Sequence, residues 1–147
     1  MNKSRFYLFL VLYALAFSQD DQIIKYEDLF DRNGLMYAPD QDTSFSGNVK
    51  AVWASGINKL EYNYVDGKPD AKWSNWYENG QPEKEVEYQL GIKNGVHKQW
   101  YSNGQLEFER TYKEGIHDGK WTEWYQNGQL MVEGNFLNGK HDGLWVY

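Results

Sequence analysis

Apolar and polar residues alternate along most of the chain from Gly47 to Tyr147, and the pattern returns at a step of 24 residues, from Trp76 to Trp100 and from Trp100 to Trp124. The motif Trp-Tyr-x-Asn-Gly-Gln stands at each of these three tryptophans. Other columns keep the same step, among them Gly67, Gly91, Gly115 and Gly139, and Tyr64, Tyr88, Tyr112 and Phe136. Alternation with a period of two is typical of strands, so each unit predicts two strands and two turns.

The Asn-Gly pairs predict the tight turn of each hairpin. They are Asn79-Gly80, Asn103-Gly104 and Asn127-Gly128. Asn-Gly favours a type I′ turn, in which both central residues take positive φ. Such a turn at Asn127-Gly128 places Trp124 opposite Met131. It also places Thr122 opposite Glu133. The other glycines predict a second, looser turn, for example over residues 115–119.

The predicted fold is all-β: an extended antiparallel meander of tandem 24-residue β-hairpin repeats, forming a single-layer twisted sheet. About four repeats occupy residues 47–147. Residues 19–46 lack the period and are interpreted as an N-terminal cap, whose stretch Ile23–Phe30 predicts either a strand or one or two helical turns. With strands about 4.8 Å apart, each repeat lengthens the sheet by about 9.6 Å.

Without bulges, the alternation sorts the repeated columns onto two faces. Tyr101, Leu106 and Phe108 share one face. The other face carries the tryptophan and glutamate columns Trp76, Trp100, Trp124, Glu85, Glu109 and Glu133. Trp121 is expected over Gly134, where its ring would cover a strand glycine. Aromatic ladders are expected on both faces.

The first residues have the layout of a secretory signal peptide. Lys3 and Arg5 precede the apolar run Phe6–Phe17, and small residues at Ala16 and Ser18 suit cleavage before Gln19. The run is too short to span a bilayer comfortably. Residues 1–18 are therefore predicted to be a signal peptide, which predicts a secreted or periplasmic protein; an uncleaved anchor is the alternative.

The charge balance excludes several classes of partner. The whole chain has a net charge of −6, and because residues 1–18 carry two cations and no acid, the remainder carries −8. Such a chain repels phosphate backbones and anionic lipid surfaces, so neither nucleic acid nor an anionic membrane is an expected partner. The absence of cysteine means that packing and strand pairing must supply the stability.

No residue set in the sequence predicts catalysis, a cofactor or a metal site. His117 and His141 are one repeat apart, too far for two ligands of one zinc ion, and are interpreted as turn residues. Asp118 and Asp142 are expected to cap loop amides. The paired glutamates recur in every unit, whereas a glycosidase needs one pair in unequal environments, so a solvated acidic face is expected.

The tryptophan column is the candidate binding surface. Trp76, Trp100 and Trp124, with Glu85, Glu109 and Glu133 beside them, could contact a protein partner. Rings spaced every second strand could also stack on sugars, which gives carbohydrate binding in the cell envelope as the alternative function. A third interpretation is that the rings only cover the sheet.

These residues resemble a known family. Trp-Tyr-x-Asn-Gly-Gln-Leu, a glycine eleven residues after the turn glycine, and then Asp118-Gly119-Lys120-Trp121 or Asp142-Gly143-Leu144-Trp145 look like the MORN-repeat variant of bacterial YwqK-like antitoxin components. Ala71 in a glycine column and His97 in a tryptophan column depart from the pattern as repeat drift. The resemblance implies a non-enzymatic binding or scaffolding protein, with an immunity role as a narrower form.

The last strand predicts self-association. Residues 144–147, Leu-Trp-Val-Tyr, form an apolar edge without a protecting charge. An edge-to-edge dimer through this strand is expected.

Overall fold

The computed structural model describes residues 24–147, so the predicted signal peptide lies outside the described residues. The strands are β1 (Ile24–Lys25), β2 (Phe30–Arg32), β3 (Leu35–Tyr37), β4 (Gly47–Val52), β5 (Asn58–Val65), β6 (Lys68–Trp76), β7 (Pro82–Gln89), β8 (Ile92–Trp100), β9 (Leu106–Lys113), β10 (Ile116–Trp124), β11 (Leu130–Leu137) and β12 (Lys140–Val146). One turn of 3-10 helix, Tyr26–Asp28, follows β1. The stretch Ile23–Phe30 of the N-terminal cap therefore contains both a short strand and a helical turn.

The repeats form one open sheet of ten strands in the order β1-β4-β5-β6-β7-β8-β9-β10-β11-β12. From β4 to β12 every neighbouring pair is antiparallel, while β1 pairs with β4 in parallel. Strands β2 and β3 form a separate hairpin. The predicted antiparallel meander is therefore confirmed.

The Asn-Gly pairs lie at chain reversals, but the predicted type I′ geometry is wrong. Asn127 does not take positive φ, whereas Gly128 does, with φ 81°. The Gly128 amide donates to the Tyr125 carbonyl at 2.8 Å, and the Tyr125 amide donates to the Gln129 carbonyl at 2.9 Å. This is a three-residue loop, a type I turn followed by a left-handed glycine that forms a bulge.

The longer loop changes the register beside it. Trp124 lies opposite Leu130, not Met131, because Met131 is the extra residue of a bulge. Beyond the bulge the predicted register returns, with Thr122 opposite Glu133. The equivalent bulge in the preceding hairpin places Leu106 opposite Trp100 and Phe108 opposite Gln99. Leu106 and Phe108 therefore do not share a face, which corrects the prediction.

The tight turns lie instead at the second glycine column, where a looser turn was expected. Glu114 and Gly115 both take positive φ, 50° and 81°, and Lys113 pairs directly with Ile116. That is the two-residue arrangement of a type I′ turn. The following glycine, Gly119, lies inside β10 with φ 107°, where the register with β9 shifts. It is therefore a bulge residue and not part of the turn.

Side chains on one face of the sheet form an aromatic ladder, and we call this the ladder face. Its rings include Tyr64, Trp73, Tyr88, His97, Tyr112, His117, Trp121, Phe136, His141 and Trp145. Neighbouring centroids such as those of Trp121 and Phe136 are 5.2 Å apart. Trp121 is opposite Gly134 as predicted, but the ring against Gly134 belongs to Trp145.

A cluster of buried hydrophobic residues lies at the start of the sheet. Val49, Leu60 and Tyr64 from the first strands pack with Ala38 and Phe45 from the preceding segment. Phe45 contacts Tyr64 with ring centroids 6.2 Å apart. Residues before β4 thus cover the ladder face of the first repeat, and the later repeats rely on a single layer of side chains.

Candidate functional site

The six predicted site residues lie on the face opposite the ladder. Trp76, Trp100 and Trp124 end strands β6, β8 and β10, and Glu85, Glu109 and Glu133 lie on the strands between and beside them. Thr122 pairs with both Glu109 and Glu133, and Trp124 follows two residues later on the same face. The strand alternation therefore brings the two columns together as predicted.

A row of directly opposed residues crosses this face. Its members are Lys50, Glu61, Ser74, Glu85, Lys98, Glu109, Thr122 and Glu133. We call this the ion-pair face, because lysines bind three of the four carboxylates in this row. Lys50 Nζ lies 3.1 Å from Glu61, and Lys98 Nζ lies 2.9 Å from Glu109.

Lysines therefore neutralise part of the expected acidic face. Lys72 Nζ lies 2.9 Å from Glu85, so two of the three predicted glutamates, Glu85 and Glu109, are paired with lysines. The lysines were missed because their partners depend on the register of the strands. A signal was present, since Lys50 and Lys98 occupy the same column two repeats apart.

The tryptophans of the ion-pair face are half-buried and stand apart from other rings. Trp76, Trp100 and Trp124 take part in none of the aromatic ring pairs found within residues 24–147. The expected second ladder is therefore missing in this part of the chain. Their ring faces are left for aliphatic neighbours, solvent or a ligand.

The backbone of this column is fixed by the neighbouring repeat. Tyr77 Oη donates to the Trp100 carbonyl at 2.7 Å, and Tyr101 Oη donates to the Trp124 carbonyl at 3.0 Å. Trp53 takes the same role in the first hairpin, since its Nε1 donates to the Trp76 carbonyl at 2.9 Å. The three tryptophans thus sit on rigid, regularly spaced strand ends.

A depression of about 410 Å³ lies beside the first tryptophan of the column. Trp76, Lys72 and Glu61 are among the residues that line it. It combines an aromatic wall with charged side chains, which suits contact with a polar partner surface.

His117 and His141 lie on strands and not in turns, which corrects the prediction. His117 packs against Tyr112 with centroids 4.4 Å apart, and His141 stacks on Trp145 at 4.1 Å. Residues 24–147 contain no group of three or more metal-ligating side chains. The loop-capping role of Asp118 is confirmed, since its Oδ1 accepts a hydrogen bond from the Asn138 amide at 3.4 Å.

The fold and this surface define a single-layer β-hairpin repeat protein. The model of the MORN repeat variant matches three segments of the chain, residues 69–90, 93–114 and 118–138. Each matched segment covers one hairpin closed by an Asn-Gly loop. The chain is therefore similar to the MORN repeat variant over three of its hairpin repeats.

No curated protein matches the chain significantly. Among the described residues, no helix has the length and apolar character needed to cross a membrane.

Proposed function

We propose that this chain is a non-enzymatic interaction module that binds a protein partner on its ion-pair face. The observation that carries the proposal is the tryptophan column. Three half-buried rings recur at a fixed spacing on rigid strand ends, and none stacks on another aromatic ring. Tryptophan contributes large, rigid contact area and is enriched among the residues that dominate binding energy at protein interfaces.

The ion-pair row supports a binding role over a catalytic one. A glycosidase needs two carboxylates in unequal environments, one of them protonated. Glu85 and Glu109 are instead held in similar ion pairs with Lys72 and Lys98. Side chains of both charges beside half-buried rings are suited to specifying the register of a partner.

The experiment is capture of a partner from the cell-envelope fraction by the purified chain and two variants. Trp100→Thr with Trp124→Thr removes two rings of the column while keeping residues that favour strands. Phe30→Thr removes a partly exposed ring on the β2–β3 hairpin as the control. We expect the same protein to be captured by the wild type and the control and lost with the double variant. Equal capture by all three, with circular dichroism unchanged, would contradict the proposal.

Carbohydrate binding is the second candidate function, supported by the same three rings, none of which stacks on another aromatic ring. Sugars stack on exposed aromatic rings, and rings on alternate strands repeat about every 9.6 Å. A glycan array separates the two functions: sugar binding lost in the Trp100→Thr, Trp124→Thr variant favours the envelope glycan. Protein capture without glycan binding favours the interaction module.

Export is part of the proposal and rests on the sequence of residues 1–18. An immunity role against a toxin that reaches the periplasm is its narrower form, supported by the family resemblance alone. Amino-terminal sequencing of the protein from its native host should give Gln19 as the first residue. Recovery of the protein from the cytoplasm alone, with Met1 as its first residue, would contradict export.

A further inference from the structure

The repeat pattern breaks on the ladder face of the middle repeats, at residues that lie together. His97 occupies a column that elsewhere holds Trp73, Trp121 and Trp145. Arg110 occupies the column of Tyr62, Val86 and Gly134, and Lys93 that of Pro69, His117 and His141. The strands pair His97 directly with Arg110. These departures are therefore one local change in the sheet and not scattered drift.

The side chains form a closed set of contacts that we call the basic patch: Lys93, His97, Arg110 and His117, with the rings of Phe108, Tyr112 and Trp121 between them. The Arg110 guanidinium lies between Phe108 and Trp121, 3.9 and 4.0 Å from their centroids. Lys93 Nζ lies 3.4 Å from His97 Nδ1 and 4.9 Å from the centre of Tyr112. The ring centroid of His117 lies 4.7 Å from that of Trp121.

The basic patch is short of hydrogen-bond acceptors and negative charge. Three buried nitrogens of the basic patch have no partner within residues 24–147: Nε2 of His97, Nε of Arg110 and Nδ1 of His117. One carboxylate, that of Glu123, bonds to the Arg110 guanidinium. Burial, with the nearby cations Lys84 and Arg110, lowers the pKa of Lys93. Lys93 has no anionic partner within residues 24–147, so the cluster favours an added anion beside this lysine.

The aromatic ladder is interrupted at His97, so the replacement of tryptophan by histidine lowers the stability of the sheet there. Ring contacts run from Trp73 to Tyr88 and resume from His97 to Tyr112, because the shorter His97 side chain does not bridge back to Tyr88. A tryptophan here would continue the ladder, and each aromatic pair contributes about 0.5–1.5 kcal/mol. The chain has replaced a tryptophan with the imidazole of His97 and has placed two cations, Lys93 and Arg110, beside it.

We propose that the basic patch binds a carboxylate side chain from an acidic segment of a protein partner. This deepens the interaction role proposed above but uses the opposite face of the sheet. Lys93, Arg110 and His117 are the partly exposed groups that contact the carboxylate, and buried His97 positions Lys93. The overall charge of −6 repels extended polyanions such as membranes and nucleic acids, whereas one short acidic segment need only reach a local patch.

The test is fluorescence anisotropy with a labelled peptide of four Glu-Ser units at low ionic strength, where screening is weak. A Gln-Ser peptide of equal length is the uncharged comparison. Lys93→Met and Arg110→Val each remove one cation; valine is the residue that the repeat itself uses at Val86. Each change should weaken binding of the Glu-Ser peptide about tenfold. Lys120→Met, which removes a lysine from the opposite face, should leave binding within about twofold.

Several outcomes would overturn the basic patch as a carboxylate site. These are equal binding of the two peptides, unchanged binding in both patch variants, or equal weakening by Lys120→Met. Binding to phosphatidylserine vesicles without binding to the peptide would reassign the patch to a membrane surface. If Arg110→Val fails to fold, Lys93→Met decides alone, since Lys93 is in no ion pair within residues 24–147. Capture of a partner that depends on Trp100 and Trp124, with no peptide binding, would leave the proposed function standing and remove this inference.

Discussion

At the scale of single residues, the repeated motif acts mainly between units. The tyrosine of Trp-Tyr-x-Asn-Gly-Gln donates its hydroxyl to the next repeat, and the asparagine does the same with its amide. Asn79 Nδ2 donates to the Ser102 carbonyl at 2.9 Å, and Asn103 Nδ2 to the Gln126 carbonyl at 3.0 Å. The motif therefore recurs because each copy must bond to the copy after it, as expected of nearest-neighbour stacking.

The chain contains a matched pair to measure this bond. Tyr101→Phe removes the hydroxyl that donates to the Trp124 carbonyl, and we expect a lower free energy of unfolding. Tyr125→Phe removes the equivalent hydroxyl, which has no such bond within residues 24–147, and should cost much less. Urea denaturation of the two variants makes the comparison. Equal losses would mean that the bond between repeats contributes nothing.

His97 predicts a dependence of stability on pH. Burial, together with Lys93, Lys84, Arg110 and His117, lowers its pKa from 6.5 to about 3. The unfolded chain therefore takes up a proton at this residue as the pH falls below 6.5, while the folded chain does not. From about pH 7.5 to about pH 5.5 this should destabilise the fold by about 1.4 kcal/mol.

The measurement is the free energy of unfolding of the wild type and His97→Gln at both pH values. Glutamine is polar but does not titrate, so the variant should lose about 1.4 kcal/mol less than the wild type over this interval. His117, whose pKa is also lowered by burial and by Arg110 and Lys93, keeps its own contribution in both proteins. An identical pH dependence in the two proteins would show that His97 is not held uncharged.

At the scale of the hairpin, the two kinds of turn make different demands on sequence. The first residue of each type I′ turn takes positive φ, at Asp66, Leu90, Glu114 and Asn138. Leu90 has φ 47° and is 52 % exposed, so it bears the strain of the left-handed region without compensating burial. Asparagine tolerates this region better than leucine.

Leu90→Asn should therefore stabilise the protein by about 1 kcal/mol. The reverse change, Asn138→Leu, places leucine at the same position of the last tight turn and should destabilise by a similar amount. Thermal unfolding of the two variants gives the comparison. A destabilised Leu90→Asn protein would mean that the Leu90 side chain contributes packing that outweighs its backbone strain.

The strands could be predicted because spacing and alternation determine them, but the turns and their bulges could not. Gly115 and Gly119 look alike in the sequence, yet one closes a type I′ turn and the other is a bulge inside β10. From the sequence alone, Asn127-Gly128 is predicted to form a type I′ turn. In the structure Asn127 keeps negative φ, and its side-chain Oδ1 accepts a hydrogen bond from the Gln129 amide at 3.0 Å. The type of turn at each Asn-Gly pair is determined by hydrogen bonds across the loop and to the next repeat.

The candidate site was only partly predictable for the same reason. Alternation placed Trp124 and Glu133 on one face, because bulges near the loops leave the middle of each hairpin in register. The ion pairs depend on neighbours across two strands: Lys72 is directly opposite Glu87 but binds Glu85. Diagonal ion pairs of this kind depend on side-chain conformations, which the repeat pattern of the sequence does not reveal.

At the scale of the whole molecule, the two ends of the sheet differ. The first repeat is covered by the core around Val49 and Phe45, whereas β12 pairs with β11 alone among the described strands. Leu144 is 83 % exposed and Tyr147 is 85 % exposed. An apolar edge strand with free backbone groups favours pairing with another strand. We propose that a second copy of the chain occupies it.

Val146→Lys tests this proposal, since a lysine on an edge strand opposes edge-to-edge pairing. The wild type should show a mass that rises toward the dimer with concentration in light scattering, and the variant should remain a monomer. Leu137→Lys is the control, because Leu137 is also exposed but lies on β11, which already has two neighbours. It should associate like the wild type. A wild type that stays monomeric throughout the series, or equal association of Val146→Lys, would exclude pairing through β12.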